Sequence, residues 1–433
     1  MKNYKTVMLG SVATSALLLG SVAITSPALA KNVEVGHKKG SFYLKTKDGK
    51  FSVITGAQIQ IQYEYNARGE DRAAGVAGVE DDTNTTSFTA RRVRFGVKGR
   101  AGHKKLTYRV KMNISNNSQS DVDGDGGGFA IFDSYLQWKF AKSLALRAGT
   151  WRQRFTEVHS NSTGKMQMVD KPRGTNNRGR MERDTGLGIN GKLFKIMSYE
   201  LAVINGNTRK ADAANSNQSF VGSVQLEPFG KFGAAYEGDM KNSKKLKVKV
   251  MAAAFYKDNV TFSTRGNQNT FISMAGEADI HGWTVGAGAK WRGFGLFGEY
   301  VTQRFIDATD DPTGAAGTKI SGERLVAWNI EGSYFIIPKK WSIAGRYEYL
   351  NENTMSNNGG NTPAANQANG RNRGLDDETR FGMGTSYFFR GHAHKIVAQW
   401  EQIQDHDGKV NATSGANETS TDNIFRVQWQ TRF

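Results

Sequence analysis

Arg92, Arg94, Lys98 and Arg100 stand at even spacing, with Val93, Phe95 and Val97 between them. On an extended chain successive side chains point to opposite faces, so the four cations share one face and the apolar residues the other. A guanidinium matches the oxygens of a phosphate in a bidentate fork, and a lysine acts as a point charge. Arg109 and Lys111 repeat the arrangement between Tyr108, Val110 and Met112, and Arg147 extends it. The stretch Thr156–Met181 adds Lys165, Lys171, Arg173, Arg178 and Arg180 against Glu157 and Asp170. Rows of fixed cations attract small anions and hand them on. Asp133 lies between these rows and has two readings. It holds arginine heads in position and limits how tightly an anion binds, or it makes a plain inter-strand salt bridge.

Other motifs point to chemistry that their context withholds. Gly186-Leu187-Gly188-Ile189-Asn190-Gly191 fits the dinucleotide fingerprint, which needs a strand before it and a helix opening on it. Here the segment itself alternates as a strand. Asp121-Val122-Asp123-Gly124-Asp125-Gly126 starts like a calcium loop, but its twelfth position is Phe132 and the bidentate glutamate is missing. His392-Ala393-His394 has no neighbouring carboxylate to complete a metal site. With no cysteine there is no thiol nucleophile, thiolate metal site or disulfide. No serine sits in a nucleophile context, so no enzyme activity and no cofactor are expected. Aromatics fall mostly on the face opposite the cations, so bases could not stack beside phosphate contacts, and nucleic acid is not an expected partner.

The elements that position these rows are strands. The chain has 433 residues, 50 glycines, only 6 prolines and 11% aromatics. A mean hydropathy of -0.55 is too polar for a helical membrane protein. Residues 1–30 read as a secretory signal peptide: Lys2 and Lys5, an apolar run, then Pro27-Ala28-Leu29-Ala30 as a cleavage site. Removing it leaves 56 basic against 40 acidic residues, a net +16, which implies an anionic partner. Beyond Ala30, period-two alternation recurs in segments of about ten residues. Ile59, Ile61, Tyr63 and Tyr65 oppose Gln58, Gln60, Gln62 and Glu64. Phe425, Val427, Trp429, Thr431 and Phe433 oppose Arg426, Gln428, Gln430 and Arg432. Short connectors such as Ala141–Ser143 and Pro338–Lys340 alternate with long ones such as Ala67–Thr86 and Asn353–Asp376.

This rhythm predicts an all-β fold, a transmembrane antiparallel β-barrel with short periplasmic turns and long extracellular loops. Sixteen strands are expected, or eighteen if Phe232–Met240 forms a further strand; the edges between Ser219 and Gly293 are unclear. Residues 31–50 read as a periplasmic N-terminal segment, with a small hairpin around Asp48-Gly49, and 51–433 as the barrel. The apolar stripe then faces outer-membrane lipid and the cations line a wet lumen, because an arginine or lysine in mid-bilayer costs ~2–4 kcal/mol. Rings of such cations in a pore select for anions.

Arg91-Arg92-Val93-Arg94-Phe95-Gly96-Val97-Lys98-Gly99 resembles the second-strand signature of the phosphate-selective porin O and P family. Tyr108-Arg109-Val110-Lys111-Met112, Phe132-Asp133-Ser134-Tyr135-Leu136-Gln137-Trp138, Glu182-Arg183-Asp184-Thr185-Gly186 and Phe297-Gly298-Glu299-Tyr300 follow in order, and the terminal Phe433 fits. The resemblance implies a sixteen-stranded homotrimer in the Gram-negative outer membrane that passes inorganic phosphate and related anions. It also implies that the paired Arg91 and Arg92 belong to the path and that the loop Thr156–Met181 folds inward. Alternation supports Arg92 better than Arg91, which falls on the Val93 face unless it reaches the lumen near the rim or at a bulge. The alternatives are a non-selective porin and an outer-membrane binding protein with a plugged lumen.

Overall fold

The computed structural model describes residues 32–38, 41–67, 84–114, 130–178, 181, 183–206, 218–262, 276–309, 319–353, 375–406 and 420–433. The signal segment, the Asp121–Gly126 loop and Arg180 lie outside these, and the side chain of Arg178 is likewise not described.

Alternating residues form strands wherever expected. A hairpin of β1 (Val33–Lys38) and β2 (Ser41–Thr46) comes first. Then follow β3 (Ser52–Ala67), β4 (Thr85–Arg100), β5 (Leu106–Asn113), β6 (Ala130–Lys139), β7 (Ala145–Arg152), β8 (Arg183–Leu193), β9 (Met197–Ile204) and β10 (Ser219–Leu226). The second half holds β11 (Lys247–Phe262), β12 (Gly276–Trp291), β13 (Phe294–Thr309), β14 (Lys319–Ile337), β15 (Trp341–Asn353), β16 (Leu375–Phe388), β17 (His394–Asp405) and β18 (Ser420–Arg432). From β3 onward each strand pairs antiparallel with the next, and β18 returns to β3 from Asn423↔Ala67 to Arg432↔Gln58. The closed wall therefore has sixteen strands. The eighteen-strand count is reached only with the hairpin β1–β2, which pairs with the foot of β3 and stands outside the closed ring.

Phe232–Met240 is not a strand. It belongs to a long connection from β10 to β11 at the end where the other turns are short, with one 3-10 turn over Ala235–Glu237. Gly233 and Gly238 have φ of +88° and +57°, which an extended run cannot accommodate. Phe232, Ala235 and Tyr236 are buried together with Val158, Met166, Met251 and Phe297, so this strap folds into the barrel. The dinucleotide-like Gly186–Gly191 lies within β8.

Leu136, Leu201, Phe220, Trp283, Ile330 and Trp429 are exposed on the outer face, where lipid replaces water. Phe140, Phe194, Trp291, Trp341, Phe389 and Phe433 gather beside the short turns as an interfacial girdle. Among the described residues no helix is long and apolar enough to cross a membrane; the strands do the crossing. Ile330→Arg, on the outer face of β14, should destabilise the barrel by ~2–4 kcal/mol if that position sits near mid-bilayer. A lowered urea midpoint for refolding into lipid vesicles checks this.

The inner face is not polar throughout. Ala202, Ile204, Val221, Ala253, Phe255, Ile280, Val301, Leu325, Ala327 and Leu350 point inward from β9–β15 and pack on Trp151, Phe155 and Met181. Phe155 meets Phe255 edge-on with ring centroids 4.8 Å apart. The expectation that apolar residues face lipid and polar ones the lumen thus holds for only part of the wall. An inward-folded loop supplies a second dry surface, and apolar side chains on both sides of it are buried.

Candidate functional site

The segment between β7 and β8 crosses the lumen. Its helical turn Glu157–Ser160 is capped by Thr156, whose hydroxyl accepts from the His159 backbone N–H. The orphan N–H groups of Glu157 and Val158 donate to the Glu299 carboxylate of β13, at 2.5 and 3.0 Å. Glu157 in turn accepts from Lys249 of β11 at 2.6 Å and Gln225 of β10 at 2.7 Å. Further along, Gln399 of β17 takes the Val169 N–H at 2.8 Å, and Lys395 donates to the Met166 carbonyl. Ser386 of β16 donates to the Gln167 carbonyl at 2.6 Å. Thr175 meets Asn329 of β14 at 2.7 Å, and a Cβ on Gly174 would come within 2.7 Å of the Ala327 Cβ. The strap meets the same loop from the other end: the Gln167 N–H donates to the Tyr236 carbonyl at 3.1 Å. Loop and strap together occupy the lumen against β10–β17.

The cations predicted from the sequence divide into groups on this frame. Arg94, Lys98, Arg109 and Lys111 face inward from β4 and β5 and line a cavity of about 310 Å³. The loop's Ser162 and Arg432 of β18 also line it, and no acidic side chain is in its lining among the described residues. Lys98 is exposed. Arg94 donates to Thr163 of the loop at 3.0 Å. A β-bulge between the Lys111 and Met112 pairings turns both Phe132 and Asp133 of β6 inward. The Phe132 ring then lies under Arg183 at 4.4 Å, Arg94 at 4.9 Å and Lys111 at 5.7 Å. Asp133 accepts from Arg109 of β5 and Arg183 of β8, each at 3.0 Å, so it bridges strands on both sides and fixes two guanidiniums.

Other predicted residues are engaged elsewhere. Arg147 pairs with Glu200 at 3.2 Å, donates to Gln137 and stacks on Tyr135. Lys165 lies 3.7 Å from Glu237 of the strap. Lys171 donates to the His159 carbonyl at 3.0 Å, and Arg173 pairs with Glu378 at 2.7 Å. Arg91 and Arg92 both reach Asp170 of the loop, at 3.5 and 3.1 Å. A register shift places two residues of β4, Ala90 and Arg91, opposite Ile61, and this bulge is what turns Arg91 inward beside Arg92. Arg426 also approaches Asp170, at 3.6 Å. Burial pushes the Asp170 carboxyl up, and the guanidiniums of Arg91, Arg92 and Arg426 more than reverse this, holding it well below the usual carboxylate range. A carboxyl held low keeps its ion pairs as pH falls through the ordinary carboxylate range and loses them only below it.

Three features of the site escaped the sequence reading. Arg432 was visible as part of a polar stripe, and Arg183 inside a matched motif, but neither was assigned to the path. The late strands carry a charge ladder that neutralises itself: Arg346, Arg380 and Arg426 interleave with Glu331, Glu348, Glu378 and Glu401. Arg346 two residues before Glu348, and Glu378 two before Arg380, were its signal. His392 sits in the β16–β17 turn with its ring edge-on to Phe388, 5.2 Å between centroids. Burial and the nearby Lys395 hold its imidazole well below its ordinary range.

A model of the family described as phosphate-selective porin O and P matches residues 56–372. No curated protein matches. Among solved structures, the chain resembles the outer-membrane channel DcaP of Acinetobacter baumannii, with a TM-score of 0.53 and 13% identity over 90% of this chain and 99% of that one. It also resembles an anion-selective porin from Comamonas acidovorans, with a TM-score of 0.52 and 11% identity over 88% and 99%. OprB of Pseudomonas putida gives 0.52 and 11% over 87% and 94%. At such identities these likenesses speak to the fold.

Proposed function

The chain belongs to the phosphate-selective porin O and P family and is an outer-membrane porin; from that premise we propose that it passes small anions, inorganic phosphate first, by passive diffusion. The observation that carries this reading is the one-sided wall. Arg94, Lys98, Arg109, Lys111 and Arg432 face one cavity with no acidic side chain among the described residues of its lining, while the ladder on β14–β18 pairs its own charges. An unbalanced positive wall raises the local anion concentration. Guanidinium forks then replace part of the hydration shell, and several weak neighbouring sites let the ion move on. Asp133 keeps Arg109 of this wall and the neighbouring Arg183 in place.

The remaining parts of the reading follow the same logic. Residues 1–30 serve as the leader, 31–50 as the periplasmic segment carrying the hairpin, and 51–433 as the pore. Strands β5, β7, β9 and β10 each have 8 described residues, against 16 in β11–β13. A transmembrane strand needs about 9–11 residues. An apolar groove of about 580 Å³ lined by Leu187, Leu201, Val203 and Phe220 lies on this low sector. Both features support a homotrimer in which a neighbouring copy covers it.

Reversal potentials across planar bilayers in asymmetric potassium chloride test the function. Chloride should be strongly preferred over potassium, and added phosphate should block the chloride current. A cation preference would overturn the reading.

A further inference from the structure

We propose that Asp170 is a tethered anion, its carboxylate occupying a latent oxyanion site made by Arg91 and Arg92, and that permeating phosphate competes with it for that site. This rests on the anion-pore reading above.

The bulge on β4 puts two adjacent arginines on one inner face, an arrangement a regular strand does not allow. Both guanidiniums converge on one carboxylate oxygen, Asp170 Oδ1, at 3.5 and 3.1 Å. Two cations converging on one anionic oxygen is the arrangement that also receives a phosphate oxygen. Gln60 accepts from Arg92 at 3.2 Å and steadies it. Arg426 also borders Asp170, but its guanidinium is already taken by Glu64 and Glu401. The side chains of Asp170 and Arg91 retain 17% and 15% exposure, so lumen water reaches the pair.

The loop does not depend on this carboxylate for its course. Its backbone near Asp170 is held by Gln399 on the Val169 N–H and by Arg346 on the Asp170 carbonyl at 2.7 Å. Ser386, Lys395 and Arg173 hold it on either side. The carboxylate can therefore leave the arginines while the loop stays. Arg94 lies on the same face as Arg92, one strand repeat along, and opens on the cavity, so the latent site is a further step in one row of anion sites. With Asp170 in place that step binds weakly, because an incoming anion must displace a carboxylate already there.

The test uses the full-length channel in planar bilayers and inorganic phosphate as the probe. Asp170→Asn and Asp170→Cys should lower the phosphate concentration that half-blocks chloride current on the order of tenfold, which corresponds to about 1.4 kcal/mol. Asp170→Glu should block like the parent. The chain has no cysteine of its own, so Asp170→Cys can be labelled selectively. An anionic methanethiosulfonate should restore the parental block, and a cationic one should not. Unchanged block in both neutral variants of a channel that still prefers anions overturns the proposal and leaves the pore reading standing. Failure of both neutral variants to give heat-modifiable barrels also overturns it, since the carboxylate is then a structural clamp. A parental channel without anion preference removes the premise.

Discussion

Replacing Arg94, Lys98 and Lys111 together by glutamine should abolish most of the channel's anion preference. These three side chains are among the five described cations of the cavity, and no acidic side chain among the described residues of its lining offsets them. Of the two that remain, Arg109 is bound to Asp133 at 3.0 Å. Among the described residues the field in the cavity then rests on Arg432, and each lost unit charge weakens attraction in a partly desolvated lumen. The chloride-over-potassium permeability ratio should fall at least on the order of tenfold, the equivalent of about 1.4 kcal/mol. Reversal potentials measured before and after the substitutions check this, with circular dichroism and heat modifiability confirming the barrel. Glutamine removes the charge while keeping a polar side chain that still donates hydrogen bonds, so a lost preference in an intact barrel reports charge. A ratio that stays within a factor of two would remove the β4–β5 wall from the path.

Excising the strap should enlarge the pore without changing its sign. Replacing Gly230–Leu246 by a two-residue Asn-Gly turn joins β10 and β11 as a plain hairpin in the register Leu226↔Val250. The strap buries Phe232, Ala235 and Tyr236 over the short-turn end, and Lys290 is tied to it through the Ala234 carbonyl at 2.6 Å and Glu237 at 3.7 Å. Its removal opens the lumen against β11–β14, and single-channel conductance should roughly double, because current through a wet pore follows its open cross-section. Anion preference should persist, since the cationic wall stands on the other side. Val158 and Met166 of the constriction loop lose their apolar cover, so the open channel should also become noisier. An unchanged conductance would place the narrowest point entirely at the loop.

Much of the wall was legible because a strand has period two. Val93, Phe95 and Val97 had to lie opposite Arg92, Arg94 and Lys98 in any extended chain, and the short and long connectors left an up-and-down barrel as the consistent architecture. Arg91 and Phe132 mark where that logic stops. Each sits at a bulge, and one extra residue in a strand reverses a side chain's face without leaving a mark in the alternation. The strap stays undecided in the sequence for a related reason. Phe232–Met240 has the aromatic and glycine content of a barrel strand, and what fixes it inside is contact with Val158, Met166 and Phe297, far away in the chain.

By itself the sequence determined the class of fold, the strands and which of their faces carries the cations, since these follow from local alternation and from the cost of placing charge in hydrocarbon. Only the tertiary structure decided which cations are left facing the cavity. Arg92 and Asp170 are 78 positions apart, and Arg426 and Glu64 are 362 apart. Their pairing depends on the closure of β18 onto β3 and on the path of one loop through the lumen. Charges become counter-ions only when folding brings them within a few ångströms, and no pattern along the chain encodes that distance.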